Sequence, residues 1–158
     1  MHGIVKAFSG TRALDGVDFD VRTGEVHALI GENGAGKSTT IHMLGGVLAP
    51  DRGQVPIGSH GDPREPRVRS QIGVAPQSLA IYDELTGEEN LRTFGSLYGL
   101  RGARLRERVH WALEFAGLED RRKDRAGKYS GGMKRRLNLA CALVHEPALL
   151  ICDEPTVG

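Results

Sequence analysis

Cysteine is scarce. Only Cys141 and Cys152 occur in 158 residues, each inside an apolar stretch (LACALV and LLICD) and neither with metal-ligand spacing. That argues against a disulfide framework and a thiolate metal site, and predicts buried thiols in a reducing compartment. No apolar run approaches the roughly 20 residues of a membrane span, and no signal peptide is recognisable. The chain is therefore not read as a channel, and work at a membrane is expected to proceed by docking on a partner. Neither sign of charge dominates: 21 Lys and Arg stand against 20 Asp and Glu, a net charge of +1. No global field marks a nucleic-acid binder, and no nucleic-acid partner is expected. Internal repeats and low-complexity tracts are absent. What is present is an ordinary globular composition, 39% hydrophobic, enough to build a core for one domain or a large part of one. The chain starts almost inside a pattern (VKAFSG) and stops directly after an apolar strand, so it is expected to be a fragment.

Residues 17–21 (VDFDV) alternate as a half-buried strand does, and 26–30 (VHALI) read as a short buried strand. A helix is expected over 37–48, stopping before Pro50, with further strands at 54–57 and 72–74. The proline- and glycine-rich stretch between those strands reads as loop. After Gln77 the pattern becomes helical. Thr86 and Glu89 have capping-box spacing, and Leu91, Phe94 and Tyr98 share a face. The next helix sets Leu105, Val109, Ala112, Leu113 and Ala116 against a solvated side with Arg104, Arg106, Arg108 and Glu114. A third helix follows Ser130, with Leu137, Ala140, Cys141 and Val144 as its apolar stripe, and Pro147 ends it. The plan is α/β: a strand-rich core over 1–77 and 146–158, with a helical insertion over 78–145.

Gly31-Glu32-Asn33-Gly34-Ala35-Gly36-Lys37-Ser38-Thr39 matches G-x-x-x-x-G-K-[ST]. Glycines let backbone N–H groups turn inward around phosphate oxygens, and the following helix aims its positive end at the same anion. Lys37 is expected on the β- and γ-phosphates and the Ser38 hydroxyl on magnesium. The motif follows an expected strand and opens an expected helix, which is the context it needs. An incidental glycine turn would not require that context. The apolar run 148–152 delivers Asp153 and Glu154 at its C-terminal edge, where ligands sit in open α/β sheets. Asp153 is expected to hold magnesium, and Glu154 to act as general base toward the attacking water. ATP and Mg²⁺ are the cofactors so implied.

Tyr129-Ser130-Gly131-Gly132-Met133, taken with the phosphate loop, Gln77 and the Asp153-Glu154 strand, resembles the nucleotide-binding domain of ATP-binding cassette (ABC) transporters. Four motifs fall in that family's order across essentially the whole chain. The resemblance implies a P-loop NTPase core with a helical subdomain, incomplete after the acidic strand and at the start. Ser130, Gly131 and Gly132 resemble the centre of the signature Leu-Ser-Gly-Gly-Gln, with Tyr129 and Met133 replacing its ends. In the family this turn closes over the γ-phosphate held by a second nucleotide-binding domain. Gln77 matches a glutamine that touches magnesium, and Phe8 stands where an aromatic ring stacks on adenine. The partners implied are a second such domain and a transmembrane permease, with the chain peripheral on the cytoplasmic face of the membrane. Residues 82–100 and 129–139 are similar to ATPases of ABC-2 type exporters of drugs, polysaccharides or nodulation lipo-oligosaccharides.

Two other readings compete. Cassette ATPases of the chromosome and repair type carry long coiled coils between phosphate loop and signature. Lys37 and Ser130 are only 93 positions apart, which suits a transport cassette, although a ribosome-associated member stays open. A catalytically incomplete ATP-binding fragment is the other, since the family's aspartate loop and switch histidine would fall after Gly158. A GTPase is disfavoured because no Asn-Lys-x-Asp motif occurs.

Overall fold

A computed structural model of the chain describes residues 1–59 and 61–153. They form two compact units, one up to Arg69 and one from Ser70 onward. In the first, β1 (His2–Phe8) and β2 (Thr11–Val17) make an antiparallel hairpin. Ser9 and Gly10 join them, both at positive φ (44° and 86°), the twist that two-residue hairpin loops favour. β3 (Arg52–Gln54) pairs antiparallel with the other edge of β1, giving the order β2-β1-β3. Ile4 lies at the centre of this sheet, fully buried against a cluster with Leu14, Met43 and Val55. Met43 comes from α1 (Lys37–Leu44), and a one-turn helix, α2 (Pro66–Arg69), buries Val68.

This unit departs from the sequence pattern in four places. The strand expected over 17–21 lies instead at Thr11–Val17, where the Ile4–Val17 pair ends the ladder. Beyond it the pairing is irregular: the Asp18 carboxylate takes the Gly3 N–H at 2.7 Å, while Met1 and Phe19 still exchange backbone hydrogen bonds at 2.7 and 3.0 Å. Residues 26–30 are not a buried strand: Val26 is 99% and Ile30 92% exposed, and among the described residues no strand pairs with them. An apolar run becomes a sheet strand only where a neighbour completes its ladder, and among the described residues none does so here. The helix expected to reach residue 48 ends at Leu44, because Gly46 turns left-handed (φ 70°) and Val47 and Leu48 both donate back to His42 O. A Cβ on Gly46 would lie 2.2 Å from Pro63 O. The strand expected at 54–57 sits earlier, at Arg52–Gln54, since Pro56 has no N–H to donate.

In the second unit β4 (Ile72–Ala75) and β5 (Leu149–Cys152) pair in parallel, from Ile72–Leu149 to Ala75–Cys152. Parallel strands need a crossover. Here it contains α3 (Gly87–Leu97), α4 (Gly102–Ala116) and α5 (Gly131–Leu143). The Thr86–Glu89 capping box is formed in both directions, at 3.1 and 2.8 Å. Leu91, Val109, Leu113, Leu118, Leu137 and Val144 build the core of this unit, each buried leucine contributing roughly 1.5–3 kcal/mol. Gly117, at φ 59°, ends α4. Both cysteines are free, and burial pushes both thiols up, away from reactivity. No helix among the described residues is long and apolar enough to cross a membrane.

Arg108 does not join the solvated face. It is 7% exposed, its guanidinium lies 3.9 Å from the Trp111 ring centroid, and it donates to Val144 O (3.0 Å) and Leu143 O (3.2 Å). It thus satisfies carbonyls at the C-terminus of α5, with Glu146 close enough to balance its charge. His145, next in the chain, stacks on Tyr98 with centroids 3.5 Å apart. Burial holds its imidazole below the ordinary 6.5, against the pull of the Ile72 backbone, and the Arg108 charge lowers it further. The unfolded chain therefore binds more protons in this window, so stability falls as pH drops below 6.5 toward the folded value. Thermal melts between pH 7.5 and 5.5 are expected to show that loss, with a shallower slope for His145→Phe (carboxylates titrate below this range, near 4).

Candidate functional site

The glycine loop enters α1 through two left-handed residues, Gly34 (φ 87°) and Gly36 (φ 84°). Ala35 N–H closes a turn on Glu32 O at 3.1 Å, with Asn33 and Gly34 at its tip. Lys37, first residue of α1, folds its ammonium back onto the loop and donates to Gly31 O and, at 2.9 Å, to Glu32 O. A lysine ammonium has three N–H donors. Two are used here, so the charge is fixed at the loop's rim with one donor left for an incoming acceptor. Ser38 and Thr39 follow in the first turn of α1, Ser38 exposed. The N–H groups of this turn have no helical acceptor, which makes the place a natural anion seat. Phe8 ends β1, is 46% exposed, and has the Lys6 ammonium 5.5 Å from its ring centroid. An exposed ring of this kind offers a face for stacking.

In the second unit Asp153 directly follows β5, and its N–H continues the pairing by donating to Ala75 O at 3.0 Å. The carboxylate is thereby set at the C-terminal edge of the parallel pair. Glu154 lies outside the described residues. Gln77 is exposed, two residues beyond the end of β4. Among the described residues no group of three or more His, Cys, Asp or Glu side chains is arranged to hold a metal.

Ser130 caps α5, its Oγ accepting from Met133 N–H at 3.3 Å. Gly131 and Gly132 are exposed, and a Cβ on either would meet nothing within 4 Å, so their backbone is open to an approaching group. Two supports of this turn are not singled out by the sequence pattern. Lys134 pairs with Asp83 at 2.8 and 2.9 Å, tying the second turn of α5 to the segment before α3. Tyr129 is buried, donates its hydroxyl to Arg121 O at 2.8 Å, and fits because residue 87 is glycine: a Cβ there would lie 2.4 Å from the hydroxyl. The tyrosine in place of the signature leucine is thus an anchored core residue. Its signal in the sequence is Gly87, an otherwise unexplained glycine inside the capping box.

Residues 14–157 match the family model described as ABC transporter. The chain belongs to the ABC transporter family. This cassette is 44% identical over 156 residues to the linearmycin resistance ATP-binding protein LnrL of Bacillus subtilis, covering 98% of the chain and 50% of that protein. It is 45% identical to the Nod factor export ATP-binding protein I of Paraburkholderia xenovorans, covering 98% of the chain and 51% of that protein. Among solved structures, the post-hydrolysis dimer of the cassette MJ0796 with ADP and Pi superposes with a TM-score of 0.83 at 25% identity, over 98% of this chain and 73% of that one. The α/β fold is therefore that of the ABC nucleotide-binding domain, a P-loop NTPase. The cassette spans about half the length of the curated relatives it matches.

Proposed function

We propose that this chain is the nucleotide-binding part of an ABC ATPase subunit that binds and hydrolyses MgATP to drive export through a separate transmembrane permease. The observation that carries the reading is the Lys37 loop, with its two left-handed glycines and an ammonium held at the rim of the helix that follows. The loop fits a triphosphate because it combines unpaired N–H groups with a fixed positive charge. The export assignment draws on the relatives, which are named for drug resistance and for Nod factor export. In this reading residues 31–39 hold the phosphates and Phe8 stacks on adenine. Residues 1–77 and 146–158 form the nucleotide-binding core, and 78–145 the helical subdomain.

Ser38, Gln77 and Asp153 offer hard oxygen donors, the kind magnesium takes. These residues would hold the ion together with phosphate oxygens and water. Magnesium, when bound, neutralises charge on the β- and γ-phosphates. Glu154 accepts the proton of the attacking water. Ser130, Gly131 and Gly132 meet the γ-phosphate of a second nucleotide-binding domain, as the dimeric form of the MJ0796 cassette supports. The subunit would then act in the cytoplasm, on the inner face of the membrane.

Lys37→Ala tests the core of this proposal. It removes the charge-assisted contact, and ATP affinity is expected to fall at least about tenfold, or roughly 1.4 kcal/mol. Titration calorimetry on folded parent and variant measures it. Equal affinities would remove Lys37 from the site.

A further inference from the structure

The connector from β4 to α3 carries Gln77, and two buried amides hold its backbone. Asn138, on α5 and 7% exposed, uses both ends of its side chain. Its Nδ2 donates to Pro76 O at 3.3 Å, and its Oδ1 accepts Ala80 N–H at 3.0 Å. These contacts straddle Gln77 and close a five-residue arch onto α5. Asn90, on α3, grips the next stretch: its Oδ1 accepts Tyr82 N–H at 2.8 Å, and its Nδ2 donates to Tyr82 O and Thr86 O, both at 3.0 Å.

Asn138 interrupts the apolar face formed by Leu137, Ala140, Cys141 and Val144. An amide buried there costs free energy unless both its ends are satisfied. The arch satisfies both, so helix and arch are tied as one piece. The same helix begins at Ser130, eight residues and about 12 Å away. The arch anchor and the signature turn thus lie on one helix.

We infer that Asn138 is a positioning residue, fixing the Gln77 arch to the signature helix so that the glutamine is held for the magnesium–nucleotide complex. This rests on the role proposed for Gln77. Asparagine is required over its isosteres for a simple reason. Aspartate keeps the acceptor for Ala80 N–H but has no donor for Pro76 O, and leucine keeps neither.

The test uses the full-length protein as parent, Asn138→Leu, Asn138→Asp, Gln77→Ala and the Asn138→Leu/Gln77→Ala double variant. The first readout is amide hydrogen exchange without nucleotide or magnesium. Asn138→Leu is expected to speed exchange at residue 80 at least about tenfold, through loss of one buried hydrogen bond, leaving α4 unchanged. Asn138→Asp keeps the acceptor for Ala80 N–H, so its exchange at residue 80 is expected to stay near parental; it loses the donor to Pro76 O, and its magnesium effect decides the matter should the leucine variant not fold. The second readout is the factor by which Mg²⁺ tightens binding of a non-hydrolysable ATP analogue. Asn138→Leu and Gln77→Ala are each expected to reduce it about tenfold, and the double variant no further than Gln77→Ala alone. Parental exchange at residue 80 in Asn138→Leu overturns the inference. So does a parental magnesium effect in Asn138→Leu, or in Asn138→Asp should the leucine variant not fold, where Gln77→Ala has lost it. If Gln77→Ala keeps the full magnesium effect, the role given to Gln77 falls, and the inferred purpose of the anchor with it.

Discussion

Glu154→Gln in the full-length protein is expected to lower ATP turnover at least about 100-fold while MgATP affinity stays at the parental level. The substitution keeps volume and shape while removing the negative charge and the ability to take a proton. β5 runs in register with β4, and Asp153 N–H extends the pairing to Ala75 O, so the chain arrives at the sheet edge in a fixed register. General-base assistance contributes typically about 10²–10⁴-fold, and phosphoryl transfer otherwise depends on positioning and charge stabilisation, which this variant leaves intact. On the proposed function, a dimer closed over unhydrolysed nucleotide is expected to accumulate. Phosphate release gives the rate, and gel filtration with and without MgATP gives the association state. Hydrolysis at the parental rate would contradict the role proposed for Glu154.

Much of the second unit is legible in the sequence because its signals are local. Thr86 and Glu89 name their own hydrogen bonds, and both form. Ser130 caps the helix that its position implies, and the Leu137, Ala140, Cys141 and Val144 stripe turns inward. Parallel pairing of β4 with β5 follows from two short apolar strands separated by helices. Where the pattern misleads, the deciding partner is distant in sequence. Residues 26–30 have the composition of a buried strand, but among the described residues no strand pairs with them. The end of α1 is set by Gly46 passing under Pro63, seventeen residues on, which no helix periodicity records. Arg108 reads as one of several solvated arginines, yet it is the one placed to reach carbonyls at the end of α5. Asn138 looks like a flaw in an apolar stripe until the arch it holds is seen. Charged and amide side chains are ambiguous from sequence for this reason: their burial depends on finding partners elsewhere in the chain.

Gly36→Val is expected to weaken ATP binding at least about 100-fold, and Gly34→Ala much less, although both replace a loop glycine at nearly the same φ. The two positions share a conformational penalty, roughly 1–2 kcal/mol for a residue with a Cβ in the left-handed region. They differ in what surrounds them. A Cβ on Gly34 meets nothing within 4 Å. A Cβ on Gly36 would lie 2.7 Å from Leu14 Cδ2 and 2.9 Å from Ala13 O. Leu14 is packed in the cluster with Ile4 and Met43, and Ala13 is backbone of β2, so neither yields cheaply. Overpacking of this kind adds about 1–3 kcal/mol, and the valine's extra methyl groups add to the crowding. Together these terms displace the loop from the start of α1 in most molecules, and apparent affinity falls in proportion to the fraction still competent. Titration calorimetry with ATP on both variants, with circular dichroism to confirm folding, measures the difference. Equal losses at the two positions would mean that the contact between Gly36 and β2 plays no part in shaping the phosphate seat.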